Sequence, residues 1–241
     1  MQERKLGFYE KYIKRFLDII CSLLAIIVLC WLFAIIAIIV RIRMGTPIIF
    51  KQPRPGIIDI TTGKEKIFEI YKFRTMTDDK DSNGLLLPDN ERLPRFGRML
   101  RATSLDELPE LFNILKGDMS MVGPRPQLIR DLVFMTEKQR MRHSAKPGLS
   151  GLAQIKGRNA ISWEEKFHWD LEYINNISFC VDARIIGVTI KKVLGKEESE
   201  YELELTDDYG DYLLRKGKIT QSVYDDKNEY ARQIEEKRKN S

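Results

Sequence analysis

The chain has 241 residues, of which 43% are hydrophobic and 31% charged, with a formal net charge of +5. That composition excludes a disordered chain, and the length suits one substantial domain or two small ones. Charge is unevenly spread: residues 1–195 carry 31 basic against 22 acidic side chains, and residues 196–241 carry 9 against 13. A basic body fits nucleic acid, anionic lipid or anionic nucleotide equally well on charge alone. The cysteines Cys21, Cys30 and Cys180 show no ligand or disulfide spacing, so they read as buried small hydrophobes.

Residues 1–15 carry Arg4, Lys5, Lys11, Lys14 and Arg15 against Glu3 and Glu10. Ile19–Val40 then runs 22 residues without a charge. As a helix that is about 33 Å, enough to cross a hydrocarbon core. A signal peptide has a shorter apolar region and a small-residue cleavage site, and neither is found here. Arg41 and Arg43 make the far flank basic as well, so the positive-inside bias is weak. No proline or glycine marks a break, and the residues alone fit a straight span and a hairpin returning to the same face equally. Asp18 reads either as an i,i+4 ion pair with Lys14 or, through its cationic neighbours, as an anchor for a lipid phosphate.

Next, Gly45–Pro47 is a turn into a short apolar strand at Ile48–Phe50, and Gln52–Gly56 reads as a tight turn bearing Arg54. Lys66–Tyr71 alternates apolar and polar residues, which predicts a second strand with Thr61–Lys64 as the hairpin tip. Lys72 and Arg74 flank Phe73 at its end. Residues 77–95 are polar and turn-rich, a long loop of the kind used as a lid.

Leu105–Leu115 places Leu108, Leu111, Phe112 and Leu115 on one face of a predicted helix. Ser104 and Glu107 are spaced for a capping box. With Asp106 as the cap instead, Pro109 falls third in the helix and is tolerated. Either register gives one carboxylate a structural task, but the surroundings give the pair a chemical one. Arg98 and Arg101 precede it, and Arg125 follows, fixed between Pro124 and Pro126. Adjacent carboxylates repel and desolvate badly without cationic compensation, and guanidinium grips phosphate oxygens with a rigid fork of donors. The helix N-terminus would add free amides for an anion. This stretch points to phosphate chemistry assisted by a divalent metal.

Residues 127–142 predict one basic amphipathic helix, suited to a membrane interface or to the domain's core. Lys146–Asn159 reads as a glycine-punctuated turn, a short strand and a basic tip, without the spacing of a P-loop or dinucleotide fingerprint. Ser162 and Glu165 open the following helix as a capping box. Trp163, Phe167, Leu171 and Ile174 form its buried stripe, while Glu164, Asp170 and Glu172 point elsewhere. Two histidines cannot build a zinc site without borrowed carboxylates. Asp182 reads as the N-cap of a last helix running to Leu194 and ended by Gly195. Residues 221–241 read as a helix or loose tail, with no chemistry visible.

Five ordered blocks, Lys14–Ile19, Gly45–Gln52, Tyr71–Met76, Thr103–Pro126 and Lys146–Asn159, carry a resemblance. Over about residues 12–195 the chain resembles the bacterial sugar transferases, small monotopic phosphoglycosyl transferases that load polyprenyl phosphate. Asn159–Phe167, reading NAISWEEKF, is most similar to members that transfer N,N′-diacetylbacillosamine 1-phosphate. The resemblance implies an α+β fold in three parts. Residues 1–43 form a membrane-embedded, re-entrant helix. Residues 44–195 form a compact, mainly helical cytosolic domain with a short β-hairpin and interfacial amphipathic helices. Residues 196–241 form an acidic extension. It further implies that Asp106 attacks the sugar-linked phosphate of a UDP-sugar, that UMP leaves, and that undecaprenyl phosphate collects the phosphosugar from the aspartyl intermediate.

By the same resemblance Glu107 binds Mg²⁺ with Asp106 beside it, Arg101 and Arg125 are functional arginines, and Asp182 is a further acid. Lys72, Arg74, Arg98, Asp170 and Arg158 complete the candidate substrate-binding set. The implied setting is the cytoplasmic face of a bacterial plasma membrane. The implied partners are the UDP-sugar, which includes N-acetylated donors, undecaprenyl phosphate and the bilayer, with a homodimer left open. Nucleic acid is not expected, because the basic residues are scattered among turns rather than arrayed on one recognition helix. One departure stands out: the family breaks its membrane helix with Ser-Pro, where this chain has Cys30-Trp31. The competing reading is a membrane-anchored basic protein that captures nucleotides or anionic lipids without turnover; it would keep its ligand affinity without Asp106.

Overall fold

The computed structural model describes residues 4, 6–59, 61–157, 160–194 and 207–239. A wide helical turn at Tyr9–Ile13 leads into α1 (Lys14–Val28), and α2 spans Cys30–Met44. The apolar run is thus two helices bent by 64°, not one. The break falls at Leu29, with φ −97° and ψ 7°, next to Cys30-Trp31. No single described helix is long and apolar enough to cross a membrane, while the bent pair passes together by length and composition.

Packing makes this bend without proline. Ala25 and Ile26 of α1 and Phe33 of α2 rest on Phe68, Ile70 and Leu111. Ile36, Val40 and Met44 of α2 pack with Phe73 and Leu100. Each large side chain buried in this way contributes roughly 2 kcal/mol, whereas a backbone hydrogen bond lost at a break costs about 1 kcal/mol. The opposite faces leave Leu24, Ile27, Val28, Trp31, Ile35 and Ile38 exposed, a surface suited to lipid rather than water.

Polar residues of α1 face the domain. The Asp18 carboxylate accepts from Ser120 Oγ at 3.0 Å and the Met121 amide at 2.9 Å. It therefore fixes backbone, and the expected ion pair with Lys14 is not formed. Lys14 Nζ bonds Asp182 Oδ2 instead, at 2.5 Å. Arg15 donates to the carbonyls of Ile114 and Leu115, at 2.6 and 2.8 Å.

β1 (Ile49–Ile58) and β2 (Glu65–Phe73) form an antiparallel ribbon that pairs Arg54 with Phe68. Gln52–Gly56 is therefore strand rather than turn; a two-stranded ribbon leaves each strand an unpaired edge where proline is tolerated. The tip lies where expected, with Asp59 Oδ1 accepting from the Thr61 amide at 2.7 Å. The polar loop that follows contains α3 (Asp89–Arg92) and leads to α4 (Arg95–Ala102). A 3₁₀ turn (Leu105–Glu107) and α5 (Glu110–Lys116) come next, then β3 (Ser120–Val122).

The helix expected over residues 127–142 is split into α6 (Ile129–Leu132) and α7 (Glu137–Arg140). Asp131 turns back to the Leu128 amide at 3.0 Å, and Thr136 starts a new helix in a capping box with Gln139. β4 (Gly148–Ser150) runs parallel to β3, and α8 (Leu152–Lys156) is helix where a strand was expected. α9 (Trp163–Asn175) opens on the Ser162–Glu165 capping box, as read. α10 (Phe179–Leu194), α11 (Tyr209–Arg215) and α12 (Gln221–Lys239) complete the chain. All three cysteines are exposed rather than buried; Cys21 and Cys30 lie on the outward faces of the bent pair. Arg158 and Gly195 lie outside the described residues.

Candidate active site

The helix expected from Leu105 is delayed. Ser104 takes a positive φ of 54° and makes no capping side-chain bond, and Pro109 occupies the N-cap of α5. Asp106 and Glu107 consequently project from the 3₁₀ turn between α4 and α5. α5 itself has only seven residues, so the anion site expected at a longer helix's N-terminus is not built.

Two devices fix this turn against the ribbon. Asn113, fully buried, accepts from the Tyr71 amide at 2.9 Å and donates to the Glu69 carbonyl at 2.6 Å, which sets α5 beside β2 and brings Lys72 opposite the acids. α4 lies against the strand end so closely that a Cβ on Gly97 would come 1.9 Å from the Thr75 carbonyl oxygen. Arg101, one turn later, donates to Thr75 Oγ1 at 3.0 Å. Arg125 is held from behind: its carbonyl accepts from Arg142 Nη2 at 2.6 Å, and Arg142 Nε donates to Asp170 Oδ2 at 2.8 Å.

The acids differ sharply in what they touch. Glu107 Oε1 receives both Lys72 Nζ at 2.7 Å and Arg125 Nη2 at 2.9 Å. Burial alone would raise its carboxyl, but Arg125 and Lys72 outweigh burial and hold it well below the usual carboxylate range. Glu110, 3% exposed, lies 3.2 Å from the same Lys72 ammonium; burial and the Glu107 charge push its carboxyl up. Burial would depress Lys72, yet Glu107 and Glu110 keep it above its ordinary value. Asp106 is buried, and among the described residues no hydrogen bond or ion pair engages its carboxylate. Desolvation raises its carboxyl, with Lys72 opposing.

Lys72, Asp106, Glu107 and Arg125 line one cleft of about 660 Å³, together with Arg74, Arg101 and Asp170. Arg74 is committed to the carbonyls of Met76 and Thr46, both at 2.7 Å, and to Asp78. Asp170, expected to point away, is buried against Arg142. Arg98 is exposed, donates to the Leu93 carbonyl at 3.0 Å and lies outside the cleft lining. Asp182 also lies outside it. Instead of capping α10 its carboxylate receives Lys14, Tyr9 and Tyr173. Arg158 cannot be placed among these, being outside the described residues.

Sequence reading passed over Glu110 and gave Arg54 no chemical role. Arg54 lines the cleft and donates to the Pro126 carbonyl at 3.2 Å and Gln52 Oε1 at 2.6 Å, while its Nε is buried without a partner. Burial, with Arg125 nearby, lowers it to about 10. Among the described residues no acid forms an ion pair with it. The only signal in the sequence was an arginine between two prolines, the same spelling as at Arg125.

Among the described residues no group of three or more His, Cys, Asp or Glu side chains forms a metal cage. Mg²⁺ does not need one, since it keeps waters and takes one or two carboxylates along with substrate phosphates. The unengaged carboxylate of Asp106, with Glu107 beside it, fits that donor set.

Residues 9–196 match the family described as bacterial sugar transferase. An uncharacterized sugar transferase of Bacillus subtilis is 50% identical over 188 residues, covering 77% of this chain and 89% of its own. A UDP-glucose:undecaprenyl-phosphate glucose-1-phosphate transferase of Klebsiella pneumoniae is 37% identical across 74% of this chain and 39% of its own. A UDP-N-acetylgalactosamine-undecaprenyl-phosphate N-acetylgalactosaminephosphotransferase of Aeromonas hydrophila is 33% identical across 76% of this chain and 44% of its own. The chain thus spans less than half the length of the latter two.

Proposed function

The chain belongs to the bacterial sugar transferase family, and from that premise we propose that it moves a sugar 1-phosphate from a UDP-sugar to polyprenyl phosphate through a covalent intermediate on Asp106. The observation that carries this reading is the contrast between two adjacent acids. Glu107 takes both Lys72 and Arg125 on Oε1, whereas Asp106 is buried among the same cations and, among the described residues, no hydrogen bond engages its carboxylate. A partly desolvated carboxylate without hydrogen-bond donors is poised as a nucleophile.

In this mechanism an Asp106 carboxylate oxygen attacks the sugar-linked phosphorus. The bond from that phosphorus to the bridging oxygen breaks, and UMP leaves with the electron pair. Lys72, Arg101 and Arg125 offset the charge that gathers on the phosphate oxygens. A phosphate oxygen of the lipid then attacks the same phosphorus, the aspartyl oxygen departs, and the Asp106 carboxylate is restored. Asp106 and Glu107 would hold Mg²⁺ together with the donor's phosphate oxygens, and the ion supplies further charge neutralisation when bound. The bent helix pair sets the cleft at a bilayer surface, on the cytoplasmic face where nucleotide sugars are made. An N-acetylated sugar such as N,N′-diacetylbacillosamine is the first donor to test, on the strength of the NAISWEEKF block.

The test uses detergent-solubilised protein with Mg²⁺ and a panel of UDP-sugars, without lipid acceptor, followed by UMP release and intact mass. The expected result is about one UMP per chain and a phosphosugar adduct that disappears in Asp106→Asn. UMP release only after polyprenyl phosphate is added would replace the covalent route by direct transfer. Retained nucleotide binding with no turnover under either condition would favour the pure binder.

A further inference from the structure

Residues 207–239 lie beyond the stretch matched by the family, residues 9–196, and their sequence showed no chemistry. The structure nevertheless seats them on the catalytic domain. Tyr209 and Leu213 of α11 enter the core cluster of Phe134, Trp163 and Phe167. The Tyr209 ring lies 5.1 Å from that of Trp163 and 5.0 Å from that of Phe167. A Cβ on Gly210 would come 2.6 Å from the Phe134 ring, so the backbone of α11 approaches as closely as a helix without a side chain allows. The buried Tyr209 amide donates to Asp131 Oδ1 at 2.9 Å, Trp163 Nε1 donates to the Asp207 carbonyl at 3.1 Å, and Lys227 Nζ donates to the Val133 carbonyl at 2.6 Å.

This seat delivers one side chain to the cleft. Asp208, immediately before α11, lines the same cleft as Asp106, is partly open to it at 19% exposure, and is steadied by an ion pair with Arg130. Near Asp106 stand Lys72, Arg101 and Arg125, where phosphate oxygens are stabilised. Asp208 adds a carboxylate to the same lining; its Oδ2 pairs with Arg130, the strongest charge acting on it, with Asp131 next. Trp163, buried in the core with Lys166 over its ring, supports this wall. A carboxylate steadied in this way suits an uncharged ring that carries hydroxyl groups, because the hydroxyls donate to it.

We propose that the C-terminal extension is part of the donor site, with Asp208 accepting hydrogen bonds from a hydroxyl-bearing ring of the nucleotide sugar. The inference rests on the UDP-sugar reading above. The ring is the transferred sugar or the ribose, and one experiment separates them.

Asp208→Asn keeps the side chain's size and the Tyr209 seat, while Asp208→Ala removes the acceptor outright. For each full-length variant, kcat/KM is measured across the UDP-sugar panel, inhibition by UDP is measured alongside, and melting temperature is recorded. The expected result is a loss of about 10- to 100-fold on the preferred donor with melting close to wild type. A flattened preference among donors with unchanged UDP inhibition assigns the transferred sugar; an equal loss on all donors with UDP inhibition weakened by the same factor assigns the ribose. Wild-type kinetics on every donor would overturn the proposal. So would an equal loss on all donors with unchanged UDP inhibition and a lowered melting temperature, which marks a purely structural role. Failure of the wild-type protein to release UMP from any UDP-sugar would refute the donor reading first, and this inference with it.

Discussion

Two buried charge clusters lie in this domain, one in the cleft and one outside its lining, and they are finished to different degrees. Under the anchor, Asp182 Oδ2 receives Lys14 Nζ at 2.5 Å and the Tyr9 hydroxyl at 2.8 Å, and Oδ1 receives the Tyr173 hydroxyl at 2.8 Å. Both oxygens are satisfied. In the cleft, Lys72 is shared between Glu107 and Glu110, Asp106 is engaged by no described residue, and the Arg54 Nε is buried without a partner. Burying charge is costly wherever it occurs. A satisfied cluster puts that cost into holding elements together, and an unsatisfied one keeps bonding capacity for something that arrives from outside.

The sharpest way to break this contrast is to neutralise one acid in each cluster. Asp106→Asn is expected to reduce UMP release by about 10⁴-fold or more, in line with loss of a nucleophile. Its melting temperature should hold or rise, because a desolvated charge beside Glu107 is gone. Asp182→Asn is expected to do the reverse: removing one partner of a buried pair destabilises by about 3–5 kcal/mol, read as a lower melting temperature, while turnover per folded molecule stays near wild type. If Asp182→Asn abolishes turnover without touching stability, that acid belongs to the reaction and the contrast collapses.

Two smaller effects sharpen it. Arg54→Gln removes a cation that forms no ion pair among the described residues, and KM for the donor is expected to rise about tenfold while kcat changes by less than about threefold, the pattern of lost uniform binding. An unchanged KM would mean that nothing anionic docks there. The pH profile of UMP release should show the mildest effect. Asp106 must be ionised to attack, and burial raises its carboxyl above its ordinary value. The rate therefore falls as pH drops through that raised value, so the acid limb should lie above the range of a solvated carboxylate. Glu107, shifted the opposite way, stays charged throughout and adds no limb. A rate flat down to pH 4 would show that the nucleophile is not a desolvated carboxylate.

Local chemistry was readable in the chain. The Asp106–Glu107 pair, the Arg125 loop between prolines, the hairpin tip and the Ser162–Glu165 box all depend on neighbours in sequence, and each was found from spacing. What escaped reading depends on elements that meet only after folding. Nothing beside Glu110 in the sequence marked it, because Lys72 reaches it from another element. Asp182 looked like a cap because Lys14 and Tyr9 lie more than 160 residues away. The Gln52–Gly56 segment looked like a turn because two prolines usually make one, and only its pairing with β2 shows why a ribbon edge admits them. The bend at Leu29 had no local mark, since side chains from three other elements hold it.

Arg15 carries a consequence for truncation. It belongs to the anchor, yet its guanidinium donates to the Ile114 and Leu115 carbonyls at the end of the helix that follows Asp106 and Glu107, and the anchor's second arm covers Phe73 and Leu100. A fragment starting at residue 44 would keep the Gly117 cap of that helix but lose both Arg15 bonds and open an apolar face, so trimming the anchor is expected to loosen the cleft and expose apolar surface rather than release a well-behaved soluble domain.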